Sequence, residues 1–221
     1  MGDWLSENTL YLLLALGVVF TFVWLMGFRK QLQIKASAAL IIAVLAEVIG
    51  VLAVKCLAAM ENPGSEQPFA GVSLFGGVFF MPFVFWLGAK LTRRKPGEVF
   101  DILGIALIFT MLCARINCLI SGCCKGHPIP GLNGLRWPTR EAELIYYLVF
   151  LFVMAPKVWK GKTKGEVYPL YMLSYGAFRF AVEFFRVSYN SSKIVHISHV
   201  WALLSLVIGW SFFAELSKKV R

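Results

Sequence analysis

Four of the five cysteines, Cys113, Cys118, Cys123 and Cys124, fall within twelve residues, and His127 stands three positions beyond them. A thiol attacks as its thiolate, and cationic neighbours raise the thiolate fraction. Arg115, Lys125 and His127 are such neighbours in sequence. Gly122 and Gly126 flank the vicinal pair and let the backbone turn sharply towards a ligand. The pattern permits a nucleophile at Cys123 or Cys124 with His127 as its base, and Cys118 close by. It also permits a soft-metal site or a disulfide to Cys118 or Cys113, although the spacing matches no zinc pattern. Cys113 and Cys56 read as small residues filling helix contacts.

Two further groups place charge inside apolar sequence. Arg115, Cys118 and Gly122 follow one another at helical spacing and share a face. Tyr175, Arg179, Glu183 and Arg186 sit at offsets of zero, four, eight and eleven, one stripe of a helix. Arginine within hydrocarbon is expensive, so these guanidiniums should face a partner or an anionic head group, phosphate being their natural bidentate ligand. Two plainer readings stand beside this one: Arg115 snorkelling to an interface, and an Arg-Glu pair that only pins two helices. Glu47 and Lys55 read as a structural pair or a buried polar contact.

The elements that must position these groups are membrane helices. With 58% hydrophobic residues and only 15% charged in 221, the chain is too apolar for an ordinary soluble domain. Apolar stretches lie near 9–28, 36–60, 69–91, 98–121, 142–156, 167–186 and 197–216, which predicts an all-α, polytopic integral membrane protein of about seven helices. Fourteen of the 22 Lys and Arg fall after the first, third, fifth and seventh stretches. By the positive-inside rule the N-terminus is then outside and the C-terminus cytoplasmic. The net charge of +10 therefore reports orientation and lipid contact, and no nucleic-acid role is assigned. Residues 1–8 carry Asp3 and Glu7 and no basic region, so the first helix is expected to be retained. Without a long hydrophilic stretch, residues 1–221 read as a single membrane domain. The Gly/Cys/Pro-rich loop 122–140, on the outer side, needs its backbone satisfied by protein or water, so a cavity is expected there.

Arg115-Ile116, Gly122, Gly126, Pro138-Thr139 and Glu143 belong together with Tyr175-Gly176-Ala177-Phe178-Arg179-Phe180-Ala181-Val182-Glu183-Phe184-Phe185-Arg186. With Ser73-Leu74-Phe75-Gly76-Gly77, Pro82, Glu98 and Asp101, they resemble the prolipoprotein diacylglyceryl transferase family over roughly residues 70–190. The resemblance implies a seven-helix membrane enzyme that moves a diacylglyceryl group from phosphatidylglycerol to the lipobox cysteine of a secreted precursor, releasing glycerol phosphate. It implies that Arg115 and Arg179 hold the head group, that Tyr175 and Glu183 support them, and that Gly126 shapes the turn. Arg186, Gly122 and Glu143 complete the expected binding set. Four positions depart from the family pattern: Phe75 replaces its histidine, Asn117-Cys118 its Gly-Asn, Cys123 a glutamate and Ala142 a tyrosine. The reading is a divergent, cysteine-rich transferase in the inner or plasma membrane, its active site outward, with no metal or cofactor. Its partners are a phosphatidylglycerol-like lipid and a lipoprotein precursor or other thiol acceptor. A thiol-redox or metal-handling protein and a transporter of an anionic amphiphile are the alternatives.

Overall fold

The computed structural model describes residues 2–61, 66, 69, 71–132, 134–187 and 196–220. Arg221, one of the fourteen basic residues that set the expected orientation, lies outside them. Among the described residues eight helices follow in order: α1 (Gly2–Gly27), α2 (Arg29–Leu32), α3 (Ala36–Glu61), α4 (Phe75–Thr92), α5 (Pro96–Ile120), α6 (Thr139–Trp159), α7 (Val167–Glu183) and α8 (Ile197–Val220). Local chemistry sets their ends. α5 begins with proline at its first position and Glu98 in its first turn, both favourable at the positive end of a helix. It ends at Ile120, two residues before Gly122, whose φ of +69° leaves the right-handed path. Arg93 closes α4 in a left-handed cap, its N–H donating to Ala89 and Lys90 carbonyls.

α5 is the central post. It packs against α1, α4, α6 and α7, and 72% of its apolar window is buried. α3 pairs with α4, and α7 pairs with α8. Gly76 lets α4 lie against α3 backbone, since a Cβ there would strike the Ala53 carbonyl. The outward faces carry exposed apolar side chains such as Phe152, Leu91 and Phe83, the inverse of a soluble bundle and suited to acyl chains.

Among the described residues, six helices are long and apolar enough to cross a bilayer: α1, α3, α4, α5, α6 and α8. α7 lies in the sixth predicted stretch but has 17 residues, about 26 Å against the ~30 Å of hydrocarbon. Three predicted boundaries shift. The third stretch becomes helical only at Phe75, because Ser73 first donates its N–H to the Val54 carbonyl of α3 at 3.0 Å. The fifth grows to 21 residues. Gly122 and Arg186 fall beyond the ends of α5 and α7, so neither shares the helical face that spacing predicted.

One end of the bundle is tied shut. Asp101 accepts the Gly165 N–H at 2.7 Å and the Val167 N–H at 2.9 Å, and Gly97 and Gly165 meet backbone to backbone. Gln31 donates to Glu98 at 2.5 Å, and Trp159 meets Trp24 at a tilt and Phe28 edge-on. The basic loops after α1, α4 and α6 therefore converge at this end, as the charge alternation requires.

Candidate active site

At the opposite end of α5, three helices bring ionisable side chains into the interior. Glu143 of α6 is the hub. Its Oε1 receives Arg115 Nη2 of α5 at 2.9 Å, the Tyr175 hydroxyl of α7 at 3.3 Å, and lies 3.5 Å from Arg179 Nε. Arg179 Nη1 also meets Glu183 Oε2 at 2.5 Å one turn on, and Arg186 Nη1 approaches the same oxygen at 3.9 Å. Arg115, Glu143, Arg179 and Glu183 are each only 2–4% exposed. Charges so buried persist only when paired, and these are. Three guanidiniums meet two carboxylates here, and the third, Arg186, also faces the Cys124 thiol.

The network walls a polar cavity of about 170 Å³ whose lining includes Arg115, Tyr175, Arg179, Glu183 and Arg186. Three more polar residues line it that sequence reasoning had not assigned to the site: Glu61, the last residue of α3, Ser198, and Ser73, whose hydroxyl donates to Glu61 Oε1 at 2.8 Å. A third charged residue on an otherwise apolar helix, after Glu47 and Lys55, was the available signal for Glu61. Phe75, where the resembled family has histidine, lines the same cavity and packs on the Tyr175 ring at 5.6 Å, so no proton carrier stands there.

The cavity does not lie within loop 122–140 as expected. That loop satisfies its own backbone instead. His127 N–H donates to the Phe185 carbonyl at 2.8 Å, Trp137 N–H to the His127 carbonyl at 3.0 Å, and Val187 N–H to the Lys125 carbonyl at 3.2 Å. Gly126 is required where it crosses Trp137, since a Cβ would strike the Trp137 carbonyl. These bonds fasten the loop to the segment just after α7 and so set Arg186 beside it.

Cys118, Cys123 and Cys124 are brought together with free thiols, their sulfurs all within 4.8 Å of one another. Arg186 Nη2 donates to Cys124 Sγ at 2.8 Å, Ser121 to Cys123 Sγ at 3.4 Å, and Arg115 Nη1 reaches Cys118 Sγ at 4.0 Å. Cys124 sits at φ +58°, a left-handed conformation that costs a non-glycine residue about 1–2 kcal/mol. Its thiol is held below the ordinary range by the hydrogen bond from the Cys118 thiol and by the Arg186 and Arg115 charges, against burial. His127 is not brought to these sulfurs: among the described residues no hydrogen bond joins its ring to a thiol, so its assignment as their base lacks the geometry. Cys113 is buried and Cys56 exposed, both outside the cluster. Glu47 takes its hydrogen bond from Thr110 at 2.9 Å and Lys55 donates to the Phe69 carbonyl at 2.8 Å, so the two do not pair with each other.

A helical membrane protein with a buried arginine cradle at one end is thus the class that fold and site define. The chain belongs to the prolipoprotein diacylglyceryl transferase family, whose model matches residues 9–214. It is 22% identical to a phosphatidylglycerol–prolipoprotein diacylglyceryl transferase of Dehalococcoides mccartyi, over 95% of this chain and 89% of that one. A same-named protein of Cupriavidus necator is 29% identical over 52% of this chain and 47% of its own length. One from Oleidesulfovibrio alaskensis is 30% identical over the same shares.

Proposed function

We propose that this protein transfers a diacylglyceryl group from phosphatidylglycerol to the lipobox cysteine of a lipoprotein precursor, at the polar cavity and on the outer side of the cell membrane. The observation that carries this reading is the network of Arg115, Glu143, Arg179, Glu183 and Arg186, which brings three guanidiniums to the wall of one polar cavity, the groups that suit a phosphodiester. The acceptor sulfur attacks the glycerol carbon that bears the phosphate. The carbon–oxygen bond breaks, a thioether forms, and glycerol phosphate leaves with the bonding electrons. Charge grows on the departing phosphate, and preorganised guanidiniums stabilise that growth without reorganising. The acceptor thiol must lose its proton, and Glu61, which lines the same cavity as the arginines, would take it. Direct transfer needs one displacement only. A second reading rests on the Cys124 thiolate beside Arg186: it would attack first, with Cys118 and Cys123 in support. A thioether on the protein would then have to be displaced by the acceptor, and an alkyl thioether has a poor leaving group, so we favour the direct route.

The test combines purified protein, phosphatidylglycerol and a lipobox peptide, following peptide mass and released glycerol phosphate. A diacylglyceryl increment is expected, lost in Arg179→Ala and slowed about 10²–10⁴-fold in Glu61→Gln. No increment from folded protein overturns the proposal. An increment on Cys124 itself, formed from phosphatidylglycerol alone, selects the covalent route.

A further inference from the structure

Cys118, Cys123 and Cys124 are not among the side chains that line the lipid cavity, and direct transfer leaves them without a task. We propose that they form a trigonal thiolate site for a soft, thiophilic cation. The geometry is close to that of a loaded site. A metal–sulfur bond of ~2.3 Å places the sulfurs of a planar three-thiolate centre ~4.0 Å apart, and here all three lie within 4.8 Å of one another. Three donors are also the wrong number for disulfides, since any pair would leave one thiol over.

The donor set selects the ion. Among the described residues no histidine or carboxylate joins the group, so the site offers sulfur alone. Sulfur-only ligation favours soft cations and gives hard ones such as Mg²⁺ no hold. A structural zinc site would want a fourth ligand, which favours an ion content with three. Three thiolates around a monovalent or divalent cation leave net negative charge, and two guanidiniums flank it: Arg186 at 2.8 Å from Cys124 Sγ and Arg115 at 4.0 Å from Cys118 Sγ. The ligands are also oriented from outside. Ser121 donates to Cys123 Sγ, and Thr139 Oγ1 donates to the Cys124 carbonyl at 3.3 Å. Cys123 is exposed, which gives the ion a way in, whereas Cys118 and Cys124 are half-buried.

Reduced, metal-free protein in detergent, titrated with Cd²⁺, provides the test through thiolate-to-metal charge-transfer absorption in the ultraviolet. Saturation at one Cd²⁺ per chain is expected, undisturbed by excess Mg²⁺. Each of Cys118→Ser, Cys123→Ser and Cys124→Ser should weaken binding by about tenfold or more, while Cys56→Ser binds like the parent. The unsubstituted protein gives a second measurement that needs no variant to fold: bound Cd²⁺ should shield Cys118, Cys123 and Cys124 from maleimide while Cys56 still reacts. Absence of the absorption band, its persistence in the triple serine variant, or unshielded labelling of all three thiols overturns the proposal.

Discussion

Glu143 neutralises two arginines from two other helices, and its single Oε1 is the point at which α5, α6 and α7 become one site. Substituting it with glutamine leaves Arg115 and Arg179 buried with less counter-charge, a loss of roughly 3–5 kcal/mol. Tyr175→Phe removes only a hydrogen bond and costs about 1 kcal/mol. Thermal unfolding in detergent should therefore rank the parent above Tyr175→Phe and both well above Glu143→Gln; equal melting of Glu143→Gln and the parent would discredit the hub. Much of this was legible. Tyr175, Arg179 and Glu183 repeat at four-residue spacing, and charge in a greasy helix has few innocent explanations. Glu61 was not legible, because its neighbours in the cavity come from α4, α5 and α7, a convergence that no local spacing encodes. The thiols were visible as a cluster in sequence, but their arginine partner, Arg186, lies 62 residues from Cys124.

Helices read from apolar runs were found where the runs are, and an end was misjudged where a loop bond holds apolar residues outside the helix. Ser73 is the clearest case, since its bond to Val54 delays α4 to Phe75. Helix contacts were less visible still, since a small residue signals close approach only once its neighbour is known. α7 and α8 meet at Gly176, where a Cβ would stand 2.8 Å from the Ala202 carbonyl, and at Gly209, where one would stand 2.7 Å from the Leu173 nitrogen. Gly176→Val should force the pair apart and cost about 1–3 kcal/mol. Ala177→Val, one position on and exposed, should melt with the parent. If both substitutions lower the melting temperature equally, α7 and α8 are not held by close approach at Gly176.

The whole molecule has unlike ends. Basic loops gather at one, and the arginine cradle with its cysteine loop occupies the other. If charge sets the orientation as the positive-inside rule has it, a membrane-impermeant maleimide added to intact cells should label exposed Cys123. Labelling that begins only after permeabilisation would reverse the assignment. Between the two ends, Asp101 and Arg115 stand fourteen residues apart on α5, about 21 Å. The Asp101 tie fastens α5 to the segment that leads into α7, and the head-group cavity lies at the other end. A lipid donor would then be drawn from a single leaflet and its reservoir depleted on that side only. Sustained turnover would depend on how fast phosphatidylglycerol crosses the bilayer by other means.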